Sequence, residues 1–282
     1  MTWTLTDDLD AFLAAAGGFL RSRPVQNTIQ LSAAETLRAR GASAFGETRP
    51  LFGWWRSGTG EITAALLHTP PYPVLLTALP GDAAGPLAGA LAGCGRKLGG
   101  ANAPEGDGAQ FAAAWSRLTG ASWQESRRSR LFRLGRLRPP VPHPRGAARV
   151  ATTADRALLE SWLTAFAQDV GDSPGRPADT VDDRLSYGGL SLWEADGAAV
   201  SLAGLHRAAA GVVRVSPVYT PPERRRQGYA GAVTAAVSQA ALDAGAGHVV
   251  LFTDLANPTS NALYQRLGYR PVEDRVVLRF GA

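Results

Sequence analysis

The chain reads as an α/β protein of two related domains, each a mixed, mostly antiparallel sheet flanked by helices. Three observations predict this. A strand, a tight turn and a helix follow one another from Val212 to Ala240, as VVRVSPVYT, PPERRRQGYAG and AVTAAVSQAA. A proline-rich segment, Pro139-Pro140-Val141-Pro142-His143-Pro144-Arg145-Gly146, divides the chain almost in half, and alternating prolines stiffen it toward an extended spacer. One hairpin pattern occurs in each half: Trp55 and His68 stand thirteen apart in WRSGTGEITAALLH, as do Trp193 and His206 in WEADGAAVSLAGLH. In both, a Gly-containing turn joins two apolar runs. Both halves also close on an Arg- and Leu/Val-rich strand, RLFRLGRL and DRVVLRF. The expected organisation is a domain over 1–138, a linker over 139–146 and a second domain over 147–282.

Composition bounds the function. A length of 282 residues suits two modest domains. A 45% hydrophobic content is ample for a core, and 19% charged residues are too few for a disordered tail protein. No run of eighteen apolar residues occurs, so no membrane-spanning helix is expected. The start, MTWTLTDDLD, is acidic and lacks a basic region before an apolar stretch, which argues against a signal peptide. A cytoplasmic protein with no membrane partner is expected. The lone Cys94 excludes an intramolecular disulfide and reads as a small buried apolar residue. The four histidines lack metal-ligand spacing, so no metal is expected.

The net charge of +5 comes almost wholly from arginine, with one lysine, Lys97. The densest patch, Arg127, Arg128, Arg130, Arg133, Arg136 and Arg138, interleaves with Leu131, Phe132, Leu134 and Leu137. That alternation reads as a strand with one solvated face. No nucleic-acid partner is expected, and an Arg-rich nucleic-acid-binding module stands as an alternative.

The turn after Val212–Thr220 carries Arg225-Arg226-Gln227-Gly228-Tyr229-Ala230 and opens onto a helix. A helix start leaves N–H groups unpaired and carries about half a positive charge. It is therefore a cradle for an anion such as a pyrophosphate, and small residues at Gly228 and Ala230 let a phosphate approach the backbone. The turn lacks the Gly-Lys-Ser/Thr ending of a Walker loop and the three-glycine spacing of a dinucleotide fingerprint. Downstream, the strand His248–Thr253 is followed by Asn257, a helix from Pro258-Thr259 with apolar Ala262, Leu263 and Leu267, then Tyr264, and Gly268-Tyr269 before a final strand. The arginine-x-x-glycine-x-alanine turn and the Asn-helix-Tyr-Gly-Tyr segment, in this order and separation, closely resemble the GNAT superfamily of N-acetyltransferases over 147–280, about half of the chain.

The resemblance implies a role for each matching position. Val218, Tyr219 and Thr220 would hold the pantetheine arm of acetyl-CoA on a splayed strand. Val218 or Thr220 would supply the N–H that polarises the thioester carbonyl, because Pro221 and Pro222 have none. Arg225, Arg226, Gln227, Gly228, Tyr229, Ala230 and Gly231 would wrap the pyrophosphate. Asn257 would bond the pantetheine amide, and Ser260 would face the donor. Tyr264 would protonate the departing thiolate, which needs a donor within hydrogen-bond reach. Glu194 is the first candidate for the general base and His206 the second. Tyr219 could face the acceptor by strand alternation. Asp169 and Asp172, in the polar loop Asp169–Pro177, could recognise a cationic amine.

The implied activity is transfer of an acetyl group from acetyl-CoA to a primary amine, by direct attack in a ternary complex, with no metal. The expected partner is a small-molecule amine, and the expected state a monomer or homodimer. An acyl-CoA-binding sensor or scaffold without catalysis is the main alternative; Tyr264 and Asn257 argue against it. The first half departs from the family pattern. After its strand Val74–Leu79 comes Pro80-Gly81-Asp82-Ala83-Ala84-Gly85-Pro86, with an acid and no arginine. Cys94–Asp107 reads as Gly-rich loop, and a helix over Gln110–Leu118 puts Trp115 near the place of the catalytic tyrosine. This half reads as a degenerate copy. In the second half, Thr153–Ala167 reads as a helix capped by Thr153.

Overall fold

The computed structural model describes residues 1–172 and 175–281; Ser173 and Pro174 of the loop Asp169–Pro177 lie outside them. The chain forms two compact units. The first holds Met1–Leu131, Thr253–Ala256 and the residues from Val272 onward; the second holds Phe132–Phe252 and Asn257–Pro271. The division therefore falls inside the Arg-rich strand, not at the prolines. Phe132 and Leu134 explain its place, because both are buried in the core of the second unit.

The first unit runs β1 (Thr2–Thr6), α1 (Leu9–Ser22), α2 (Thr28–Arg40), β2 (Leu51–Arg56), β3 (Ile62–His68), β4 (Val74–Leu76), α3 (Ala84–Gly93), β5 (Gly100–Pro104), α4 (Glu105–Thr119) and β6 (Trp123–Leu134). The second runs β7 (Ala147–Val150), α5 (Arg156–Asp169), α6 (Pro177–Leu185), β8 (Leu190–Ala195), β9 (Ala198–Leu205), β10 (Val212–Tyr219), α7 (Tyr229–Asp243), β11 (His248–Asp254) and α8 (Pro258–Arg266), and β12 (Tyr269–Phe280) follows. From β1 to α4 and from β7 to α8 the order of strands and helices is the same.

The sheets repeat as well. In the first unit β1, β2, β3 and β4 are successively antiparallel and β4 lies parallel to β5. In the second, β7, β8, β9 and β10 are successively antiparallel and β10 lies parallel to β11. The paired hairpins even share an irregularity: the register shifts between Trp55 and Arg56 in one and between Trp193 and Glu194 in the other. Both units are mixed, mostly antiparallel sheets flanked by helices.

Burial explains the layers. Trp3, Trp55, Leu66, Leu76, Leu87, Phe111 and Trp115 form the first core. The second sheet buries both faces. One packs on α7 through Ala232, Val233, Ala235 and Val237, with Tyr264 and Tyr269; the other packs on α5 through Leu159 and Trp162, with Leu192, Leu202 and Tyr219.

Several local expectations are corrected. Cys94 is exposed at the end of α3, its thiol donating to Leu91 O. The Gly-rich stretch contains β5, because β4 and β12 offer it partners on both edges; pairing overrides the poor strand propensity of Gly and Asn. Strand β4 stops at Leu76. Thr152, not Thr153, is the capping residue: it forms a capping box with Asp155 on the 3-10 turn Thr153–Asp155 that leads into α5, whose own N-cap is Asp155.

Candidate active site of the second unit

Strands β10 and β11 pair only from Val212↔His248 to Val215↔Leu251. Past that point β10 pairs with β9 alone, after a register shift between Val215 and Val218. Pro217 stands in the shift and has no N–H to give a ladder. The strand pair thus splays, and the edge of β10 toward Tyr219 is left without a β11 partner.

A buried arginine holds the bulge. Arg184 of α6 is 7% exposed, and its Nη1 donates to Leu205 O at 2.8 Å and Ser216 O at 2.9 Å. Gly204 makes room for it, since a Cβ there would stand 2.7 Å from Ser216 O and 3.0 Å from Arg184 Nη1. Ser201 Oγ donates to Tyr219 O at 3.0 Å and lies 2.8 Å from Thr220 Oγ1, which fixes the far end of the strand. The Tyr219 side chain does not face an open acceptor site: it is buried against Trp162, ring centroids 5.9 Å apart.

At the mouth of the splay stands the start of α7. A 3-10 turn over Pro222–Arg224 leads through Arg226 at φ 61° to Gly228 at φ 84°, a backbone that glycine adopts without strain. No side chain caps α7, so its first N–H groups and its positive end are available to an anion. Gln227 and Gly228 are exposed, Tyr229 and Ala230 half-buried, and Gly231 is buried. Arg225 points elsewhere: its Nε donates to Thr220 O at 2.9 Å and its Nη2 to Asp169 Oδ2 at 2.5 Å. It braces the turn, and Asp169 is bound to it rather than free for an amine.

Asn257 caps α8, its Oδ1 accepting from Ser260 N at 3.0 Å and its carbonyl from Asn261 Nδ2 at 2.7 Å. Its own amide N–H groups make no hydrogen bond among the described residues. Ser260 is half-buried on the first turn. Tyr264 is 8% exposed and meets Tyr269 edge to face at 6.1 Å. The two phenols differ. Tyr269 is bonded to Ser238 Oγ at 2.7 Å, whereas the Tyr264 hydroxyl has no partner among the described residues. Burial pushes the Tyr264 phenol up to about 12, so it stays protonated at neutral pH.

The two candidate bases are both engaged. Glu194 Oε2 accepts from Arg149 Nε at 2.6 Å, and the same guanidinium donates to both oxygens of Asp155 at 2.8 Å. Arg149 is held charged by these bonds, so Glu194 is a strand brace, not a free base. His206 lies between two guanidinium groups, with Arg184 Nη2 3.0 Å from Nε2 and Arg214 Nη2 3.2 Å from Nδ1. Burial, then these cations, keep its pKa well below the usual histidine value. Arg149, Arg184 and Arg214 carry no sequence signal, since an arginine on a helix or strand reads as a solvated charge.

A split strand pair with an uncapped helix start at its mouth suits a donor that carries a pyrophosphate at one end and a reactive group at the other. Residues 155–269 match the profile of the Acetyltransferase (GNAT) family, so the chain contains a domain of that family, whose chemistry is acyl transfer from acetyl-CoA. Solved structures extend the fold likeness to the whole chain. A GNAT-family acetyltransferase from Colwellia psychrerythraea is 10% identical with a TM-score of 0.61, covering 99% of both chains. A GCN5-related N-acetyltransferase from Sphaerobacter thermophilus is 16% identical at TM-score 0.62, covering 99% of this chain and 97% of its own. A tandem GNAT protein from the clavulanic acid biosynthesis pathway is 13% identical at TM-score 0.54, covering 99% and 98%. No curated protein matches the chain. Among the described residues no helix is long and apolar enough to cross a membrane.

Proposed function

We propose that the second unit transfers an acetyl group from acetyl-CoA to a primary amine by direct attack in a ternary complex. The observation that carries this reading is the splay of β10 from β11 with the uncapped start of α7 at its mouth. The N–H groups from Gln227 to Gly231 hold the pyrophosphate, with Arg226 beside them. The free edge of β10 and the Asn257 amide hold the pantetheine arm. As the amine attacks, charge builds on the thioester oxygen, and a backbone N–H of Val218 or Thr220 stabilises it. Arg184 acts at one remove by fixing the bulge that aims these groups. The C–S bond breaks, and Tyr264 gives its proton to the departing thiolate. Both nitrogens of His206 face guanidinium groups, so the proton of the amine leaves to solvent.

Calorimetric titration with acetyl-CoA, paired with release of free thiol in the presence of amines, tests this. One site per chain is expected. Tyr264→Phe should lower turnover by about 100-fold while leaving acetyl-CoA affinity unchanged. Absence of binding would remove the proposal, and unchanged turnover would remove the tyrosine from it. Binding without thiol release for amino acids, polyamines, amino sugars and peptides alike would leave a sensor.

A further inference from the structure

The end of β10 gathers charge around one phenol. Tyr219 stands between Val218 and Thr220, the two residues whose N–H groups the proposed mechanism gives to the thioester oxygen. Its side chain is 8% exposed and packs on Trp162 of α5. The hydroxyl makes no hydrogen bond among the described residues, and its oxygen is not sealed from solvent. Three charged groups act on it: Asp169 at the end of α5, and Arg225 and Glu223 of the turn after β10. Burial, then Asp169, push its pKa up, so the phenol stays neutral and can donate or accept a hydrogen bond.

The charges around this hydroxyl do not balance. Arg225 spans the cluster, its Nη2 donating to Asp169 Oδ2 at 2.5 Å and its Nε to Thr220 O at 2.9 Å. Glu223 makes no ion pair among the described residues. Two carboxylates thus share a single guanidinium, and the cluster is short of a positive charge. Asp169 and Arg225 are each nearly half exposed, and an ion pair so wetted is worth at most about 1 kcal/mol. An incoming cation can take the place of Arg225 on Asp169 at little cost, while the guanidinium keeps its bond to Thr220 O.

We propose that Asp169, Glu223 and the Tyr219 hydroxyl anchor a second cationic group on the acceptor, so that the substrate is an amine with an ammonium or guanidinium at its other end. The proposal rests on the acetyl-transfer reading. The anchored group is not the nucleophile: carboxylates favour the protonated form of a base, and a protonated amine has no lone pair to attack with. The reacting nitrogen is the other one, and the place of Tyr219 between the two N–H candidates sets the anchor beside the thioester. In the free protein Arg225 supplies the cation, an internal copy of the group that the substrate brings. An acceptor with one amine alone leaves Glu223 unmatched, and one with a carboxylate in place of the second cation is repelled.

Acetyl transfer by the full chain to 4-aminobutylguanidine, butylamine and 4-aminobutanoic acid tests the anchor, read as free thiol released from acetyl-CoA. Each probe offers a single reactive amine. The guanidine should have a kcat/KM about 10-fold above that of butylamine, with the gain in KM and the acid lowest of all. Added salt should shrink the gain. Asp169→Asn with Glu223→Gln should bring the ratio of guanidine to butylamine down to unity. Glu223→Gln alone, which breaks no ion pair, should remove part of it. Both residues are exposed, and titration with acetyl-CoA checks the donor site of each variant; where the double variant fails that check, Glu223→Gln decides. Equal kcat/KM for guanidine and butylamine in the unaltered chain overturns the anchor and leaves acetyl transfer standing. A ratio that survives the substitutions places the second cation elsewhere and overturns it too. No thiol from any of the three, with acetyl-CoA bound, removes the transfer reading and the anchor with it.

Discussion

In the second unit the parallel strands β10 and β11 part beyond Val215 and Leu251, and an uncapped helix start follows at the mouth. In the first unit the equivalent strands β4 and β5 pair only at Val74↔Ala101 and Leu75↔Asn102, and a guanidinium fills the gap. Arg275 is 2% exposed. Its Nη2 donates to Leu76 O at 2.8 Å and Asn102 O at 3.1 Å, and its Nε to Asn102 Oδ1 at 3.0 Å. The carbonyls that could receive amide groups of a pantetheine arm are already bonded. The turn before α3 offers Asp82 and no arginine. Counted from the helix caps, Phe111 stands seven past Pro104 as Tyr264 stands seven past Asn257, so the matching ring is Phe111, with Trp115 one turn on. It has no hydroxyl. One order of elements therefore gives an open splay in the second unit and a filled one in the first, and the first unit departs at Arg275, Asp82 and Phe111.

The comparison breaks first at the helix start. Gly228→Asp places a carboxylate on a backbone at φ 84° where a pyrophosphate is expected. Acetyl-CoA affinity should fall by at least about 1000-fold, measured by calorimetry. Retained binding would move the donor away from α7 and undo the contrast between the units.

The next effect lies in the first unit. Arg275→Met leaves Leu76 O, Asn102 O, Asn102 Oδ1 and the Glu273 carboxylate without their donor and should lower stability by about 3 kcal/mol, read from urea unfolding. The acetyl-CoA stoichiometry should stay at one, since the turn before α3 still lacks arginine. A second equivalent bound by this variant would show that the plug alone silences the first unit.

The smallest effect concerns what the units share. His68 accepts from Arg96 Nε at 3.0 Å through Nδ1, as His206 meets Arg184 and Arg214 in the other unit. Burial, then Arg96, lower the His68 pKa from 6.5 to about 4. Between those values the unfolded chain takes up a proton that the folded one refuses. This contribution is thus complete above pH 6.5 and lost as pH falls toward 4. His68→Asn should remove part of the acid slope in thermal unfolding, the remainder belonging to His206 and, at lower pH, to Asp155 and Asp274, whose arginine partners hold their carboxyls below the usual range. An unchanged slope would separate the two histidines.

Much of this was legible where local chemistry is strong. The turn at Gly228, the helix opening at Pro258 and the paired Trp-to-His hairpins follow from turn, helix-start and alternation rules acting over a few residues. Tertiary pairing hid the rest. Strand β5, GANAP, has the composition of a loop and exists because two neighbours claim its edges. Arg184 and Arg275 read as solvated cations, yet each is bent onto carbonyls set by distant segments, and Arg225 is held by the nearby Thr220 O and the distant Asp169. Glu194 and Asp169 read as open carboxylates because their arginine partners lie 45 and 56 residues away in sequence.

The allotment of β12 has a temporal consequence. Its residues through Pro271 belong with the second unit and those from Val272 with the first. During synthesis, the N-terminal sheet emerges early, but the guanidinium that seals it belongs to residue 275 and leaves the ribosome only after the second unit is nearly complete. The half made first is finished last. Until then Leu76 O and Asn102 O lack the donor that Arg275 brings, so the first sheet stays incomplete while the second unit is made.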